Sequence, residues 1–554
     1  MDESSAPITG DDYVDYIIEY NGNRQFLSEY YRDYRINFVD DRYAIVYRPK
    51  PEDYMEIFSR SDYAVFPKVY GLMDRSSMEA VGAINVQQEN ILGLDGSHIL
   101  VAIIDTGIDI FHDAFMDYAG RSRIVAAWDQ TASYTDENAF GYGRIYSREE
   151  ISQALTDGDK ILNDESGHGT FMAGIAAGSD TGGFTGVAKA ADIVVVKLKQ
   201  AKASLRELYG IPDGALAYAE NDIMLGIKCA VDIAREMAAP ISILVGLGTN
   251  SGSHAGRGAL SSYMNSLGII RGISLTTAAG NEGTARHHFA DIVPDDGYAV
   301  IEFNVAKRNS LTLEIWGRAP NTYAIALEIP GGEYIERIPP RFDRSEKITP
   351  LFGGGTIYVD YFLVEEQSGD ELIMLRLINP ADGLWRLRVY ATGDTEKRCD
   401  AWLPISSFID DETVFVRPAP DETITNPGNA EYVSAVGAYN HGDDSLYISS
   451  GRGYTSDGRI KPDFTAPGVM VYGSGKANGY IYMSGTSVAA AHVAGCAALM
   501  LQWGNDINAN STFNGNQIRQ YLIRGAIRPD IRTYPNREWG YGMVNMYNTF
   551  LSIT

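Results

Sequence analysis

The chain has 554 residues, 45% of them hydrophobic, with 46 Lys and Arg against 72 Asp and Glu for a net charge of −26. That length exceeds a single core and implies two or three domains, while the hydrophobic share excludes a disordered chain. So acidic a surface repels polyanions, and neither nucleic acid nor an anionic membrane is expected as a partner.

The opening stretch "MDESSAPITGDDYVDYIIEY" has neither a basic n-region nor an apolar h-region, so no secretory signal is expected. No apolar run reads as long enough to span a bilayer. Residues 13–69 are rich in Tyr, and strand-like and helix-like periods alternate there as β-α-β-β-α-β, the ferredoxin-like pattern. From about Ile99 the style changes. "ILVAIID", "ADIVVVKL", "PISILVGLG" and "RGISLTTAAGN" are continuous apolar runs, as in strands buried on both faces. Helical stretches such as "NDIMLGIKCAVDIAREMAA" separate them, so a doubly wound, mostly parallel α/β sheet is expected. Residues 289–417 break the rhythm with short strands at close spacing, "YAVIEFNVA", "SLTLEIW" and "LWRLRVYAT" among them. They predict an all-β sandwich or jelly roll inserted into the α/β chain. The α/β style resumes at "NAEYVSAVGAYN" and runs to the end. The three cysteines, Cys229, Cys399 and Cys496, are far apart and fit no disulfide framework or zinc spacing; each reads as a buried small hydrophobe.

Four positions carry candidate chemistry. "ILVAIIDTGID" puts Asp105 at the carboxyl end of a strand, where open α/β sheets hold their chemistry; alone it reads as a turn former. "ESGHGTFMAGIAAG" sets His168 between two glycines at the start of a small-residue helix, and those glycines permit close backbone approach. "TTAAGNEG" ends a buried strand at Asn281, by itself an ordinary turn residue. "MSGTSVAAAHVAG" holds Ser487 before an alanine-rich helix, where a serine is more often a cap than a nucleophile. Together, in the order Asp, His, Asn, Ser, they form a strong joint signal.

On these motifs, and on "GRIKPDFTAPG" before the serine, the chain resembles the subtilisin-like serine proteases across residues 99–288 and about 425–545. "AENDIMLGIKCAVDIARE", "GLGTNSGSH", "PAPDETITNPGNAEYVSAVGAYN" and "WGYGMVNMYNT" narrow the likeness to the Csp-type subtilases of clostridia and related Firmicutes. The resemblance implies a subtilisin-like fold in which Ser487 is the nucleophile, His168 its base, Asp105 the orienting acid and Asn281 an oxyanion donor. It implies that Gly246, Leu247 and Gly248 pair with the backbone of a polypeptide substrate. It also implies a self-processing zymogen in four parts: a prodomain over 1–73, catalytic segments over 74–288 and 418–554, and the insertion over 289–417. One early cut is expected within Leu72–Ser77, the fragment staying in the active-site groove. The branch includes proteases that cut a precursor in spore germination, which suggests a cytoplasmic or spore-associated location. It also includes pseudoproteases that only bind, the competing reading. No cofactor is implied, and no metal ligands are carried over, because "AAGSDTGGFTGVA" is shorter than the calcium loop of other subtilases. Three positions depart from the family pattern: Val488 stands for Met, Phe171 for a second His, and Ala491 for a Pro. The last is expected to relax a first helical turn and the position of Ser487.

Overall fold

The computed structural model describes the chain except residues 1–5, 53, 60–61, 73–82, 88–91, 135–137, 341–343, 352–354, 508–511 and 554. Its centre is a nine-stranded sheet. Strands Leu100–Asp105, Ile241–Val245 and Ile273–Ala278 are buried along their whole length. Continuous apolar runs require that of parallel strands covered on both faces. Leu100–Asp105 runs parallel to Ile241–Val245 on one side and Asp192–Lys197 on the other. Ile241–Val245 is followed outward by Ile273–Ala278 and Ser434–Asn440, also parallel. Antiparallel strands Arg144–Ser147 and Ser445–Leu446 lie at the two ends of this order.

Alternation along each strand sorts side chains into two cores. Val101, Ile103, Ile193 and Val195 point to the face holding helices His168–Ala177 and Thr486–Gln502. Leu100, Ala102, Ile104, Val194 and Val196 point to the face holding Glu220–Glu236. The helix from Thr486 is closely packed: a Cβ on Gly495 would lie 2.5 Å from Val187 Cβ and 2.7 Å from the Ala176 carbonyl. Its extension to Asp506 is, by length and composition, apolar enough to cross a bilayer, where the sequence reading expected no such run. Its apolar window is 100% buried inside the protein, so the hydropathy reflects a core helix.

Before this unit comes a three-stranded antiparallel sheet in which Tyr43–Pro49 lies between Tyr13–Glu19 and Arg35–Phe38. The ferredoxin-like pattern expected a second helix and a fourth strand in the same sheet. The helix is replaced by short 3₁₀ turns, Tyr54–Ser59 and Tyr63–Val65. The strand, Val69–Leu72, lies instead between Leu247–Gly248 and Tyr218–Ala219.

Two antiparallel sheets, of six and five strands, are built from residues 288–415 and enclose one apolar core. The six-stranded sheet presents Glu314, Trp316, Phe362 and Arg376 to the N-terminal segment. Tyr63 Oη donates to Glu314 Oε1 at 2.6 Å, and the Tyr63 ring packs against Trp316 and Phe362. Arg376, 1% exposed, is paired with Asp360 at 3.0 Å, stacks over Phe58 and donates to the Met55 carbonyl. A buried guanidinium is costly, and the Asp360 pair, the Met55 carbonyl and the Phe58 face offset part of that cost here.

Candidate active site

Asp105 ends the central strand Leu100–Asp105 and is 1% exposed. His168 opens the helix His168–Ala177 and faces it: Nδ1 lies 2.7 Å from Asp105 Oδ1 and 2.9 Å from Oδ2. A carboxylate only accepts, so Nδ1 carries the proton and a neutral imidazole presents its lone pair at Nε2. That nitrogen lies 3.2 Å from Ser487 Oγ. The approach depends on glycine. A Cβ on Gly169 would meet the Gly107 carbonyl at 2.3 Å and Asp105 Cβ at 3.2 Å, and Gly167 holds φ +82° at the helix start. Gly169→Ala is therefore expected to shift His168 and lower kcat by about 10², the scale of a 1 Å misplacement. Wild-type turnover in a folded Gly169→Ala protein would contradict this packing.

Two residues the sequence reading passed over hold this corner together. Asp164 accepts from Gly167 N (2.8 Å) and from Thr170 N and Oγ1 (2.8 Å each), capping the histidine helix. Thr106 Oγ1 donates to Asp164 Oδ1 (2.7 Å) and accepts from Gly169 N (3.0 Å). An Asp just ahead of a helix start was the available signal.

Ser487 is the second residue of the helix Thr486–Gln502 and is fully buried. Its backbone N–H belongs to the first turn, where donors have no intrahelical acceptor and the dipole favours negative charge. Asn281 arrives from the strand Ile273–Ala278. Its Oδ1 accepts from Thr486 N and Oγ1, both at 3.1 Å, and Gly280 N donates to the same hydroxyl oxygen at 3.0 Å. Fixing Oδ1 fixes the direction of the donor Nδ2. Thr486, also missed from sequence, thus joins the oxyanion candidate to the helix of the serine. Ala491 is the sixth residue of that helix, in its second turn and buried, so the expected relaxation of a first turn does not apply. Val488 and Phe171 are buried in the core.

Leu247–Gly248 forms an antiparallel ladder with the N-terminal tail, Leu247 opposite Leu72 and Gly248 opposite Gly71. The other edge of the tail pairs Val69 with Ala219 and Tyr70 with Tyr218. Glu220 fastens it: Oε2 accepts from Lys68 N at 3.0 Å, and Glu220 N donates to the Lys68 carbonyl at 2.8 Å. Gly246 lies against His168 and Ser487, its notional Cβ 3.3 Å from His168 Cε1 and 3.5 Å from Ser487 Cβ.

Other chemically suggestive groups are structural. His288, Asp400 and Glu422 could in principle share a cation. Arg398 already pairs with both carboxylates at 2.7 Å, and both His288 nitrogens are engaged, by Asp400 and by the Asp421 carbonyl. The three free cysteines are buried, and burial pushes each thiol well above its usual range.

Asp, His and Ser side chains in hydrogen-bond reach at the carboxyl ends of a parallel sheet, beside a strand paired with residues 71–72, match the arrangement of the serine peptidases. The sequence profile described as the Subtilase family matches residues 96–291 and 360–542, and the chain belongs to that family, the subtilisin-like serine endopeptidases. The solved structure of the CspB protease of Clostridium perfringens superposes with a TM-score of 0.75 at 29% identity, covering 85% of this chain and 96% of that one. The chain is accordingly a Csp-type subtilase. AprX, a serine protease of Bacillus subtilis, is 38% identical over 156 residues, 24% of this chain and 32% of that protein. The C5a peptidase of Streptococcus pyogenes is 22% identical over 438 residues, 73% of this chain and 35% of that one. The chain thus matches only about a third of the length of these curated relatives.

Proposed function

We propose that this chain is a serine endopeptidase with Asp105, His168 and Ser487 as its triad, made as a zymogen that cuts itself. The observation that carries the proposal is His168 bridging Asp105 and Ser487 within hydrogen-bond reach, beside a groove occupied by an extended strand. Ser487 Oγ attacks the peptide carbonyl while His168 Nε2 takes its proton and returns it to the leaving amine. Asp105 holds the tautomer and stabilises the imidazolium. Asn281 Nδ2 and the Ser487 N–H receive the oxyanion. Gly246, Leu247 and Gly248 align the substrate backbone.

In this reading residues 1–73 are the prodomain, 74–288 and 418–554 the catalytic domain, and 289–417 an inserted jelly roll. The cut expected within Leu72–Ser77 falls mostly on residues 73–77, outside the described residues. The proposed site is one bond within Leu72–Ser77, where the chain leaves the Gly71–Leu72 ladder. Reaction there is intramolecular and gains the effective concentration of a tethered substrate. The fragment then remains as a plug, supported by its two-edged strand pairing and by the Tyr63–Glu314 bond. Tyr63→Phe removes a donor from a buried carboxylate, about 2 kcal/mol. The cut fragment of this variant should dissociate at lower urea on size-exclusion chromatography; unchanged retention would remove Tyr63–Glu314 from the account.

Labelling with a fluorophosphonate tests the chemistry. A folded protein that neither labels nor cuts itself would favour the binding-only alternative. The narrower role, cleavage of a precursor protein in spore germination, rests on the Csp resemblance. Its test is whether disrupting the coding sequence leaves such a precursor uncut.

A further inference from the structure

Glu282 directly follows Asn281 and is 3% exposed. Its Oε2 accepts from His287 Nδ1 at 2.7 Å and from Asn250 Nδ2 at 3.4 Å. Its Oε1 accepts from Ser406 N at 3.0 Å and Ser406 Oγ at 2.9 Å. These donors come from three places. His287 lies at the entry to the two-sheet β unit, Ser406 on the loop by which its strand Arg398–Trp402 continues, and Asn250 two residues beyond the substrate-pairing strand. The same loop also receives Asn250, whose Nδ2 donates to the Leu403 carbonyl at 3.0 Å. Both walls of the cleft, the continuation of Leu247–Gly248 and the loop bearing Asn281, therefore converge on residues 403–406 of the β unit.

A buried carboxylate is costly unless its lone pairs are filled. Burial opposes the charge here, but the bonds from His287 and Ser406 outweigh it and hold the Glu282 carboxyl below its usual range. Asn281 is thus fixed at two ends: Thr486 holds its side-chain oxygen, and Glu282 holds the backbone that follows. Oxyanion stabilisation depends on a donor placed before the reaction begins, to within about 0.5 Å.

We propose that Glu282 is a positioning residue through which the two-sheet β unit, by way of His287 and Ser406, holds Asn281 in place for transition-state stabilisation. The inference rests on the endopeptidase reading above. It makes the β unit part of the catalytic geometry rather than an appendage.

A double-mutant cycle between Glu282→Gln and Asn281→Ala tests it. The readouts are kcat and KM on a short chromogenic peptide, and the first-order rate of the self-cut during cell-free synthesis. Glu282→Gln alone is expected to lower kcat and the self-cut rate about tenfold with KM unchanged, the effect of a displaced donor. In the Asn281→Ala background the same substitution should change neither, because the donor it positions is gone. Equal losses in both backgrounds, a change confined to KM, or wild-type rates in the single variant would overturn the proposal. Ser406→Ala removes one bond and leaves the carboxylate, so it guards against a Glu282→Gln protein that does not fold. It should lose about threefold in kcat with the same non-additivity. If wild type itself shows no Ser487-dependent turnover or self-cut, the endopeptidase reading fails instead.

Discussion

Ser487→Ala is expected to fold and to lose peptide hydrolysis, by about 10⁶ in kcat, a magnitude taken from subtilisin itself. The fold should survive because the substitution deletes one hydroxyl in a helix that already carries alanine at positions 489–491. Chemistry should not survive, since His168 Nε2, 3.2 Å away, then has no nucleophile to activate. Thermal unfolding measured beside turnover separates the two effects. A Ser487→Ala protein with wild-type turnover would mean that another group attacks the peptide.

The second large effect is expected at Asn281. Its Oδ1 is held by Thr486 and its backbone by Glu282, so the side chain is committed before substrate arrives. Asn281→Ala should lower kcat by about 10²–10³ with KM little changed, again the scale set by the oxyanion donor of subtilisin. The triad distances do not involve Asn281, so labelling by a fluorophosphonate should slow without vanishing. An unchanged kcat would reduce Asn281 to a turn residue.

The convergence of Asp105, His168 and Ser487 was legible in the sequence because its backbone demands are local. Gly167 and Gly169 flank His168 since a side chain at 169 would strike the Gly107 carbonyl, and that constraint is written into "SGHGT". Continuous apolar runs likewise revealed the central strands, which are covered on both faces. What stayed hidden depends on partners distant in sequence. Glu282 was not singled out from the sequence, because its partner Ser406 lies more than a hundred positions later. Thr486 gains its significance only from Asn281 and Gly280. "VYGL" at 69–72 carries no mark of which sheet it joins, and it pairs with Leu247–Gly248 and Tyr218–Ala219 rather than with the sheet of residues 13–49. The helix expected near "EDYMEIFSR" gave way to 3₁₀ turns that seat Phe58 and Tyr63 against the β unit. Tertiary packing there overrode local preference.

The most direct test of a self-processing serine peptidase is intact mass and N-terminal sequencing of wild type and Ser487→Ala, expressed in the same host. Wild type should separate into two chains cut at one bond within Leu72–Ser77, while Ser487→Ala stays one chain of 554 residues. Cleavage of both proteins at the same bond would assign the cut to a host protease and contradict the account.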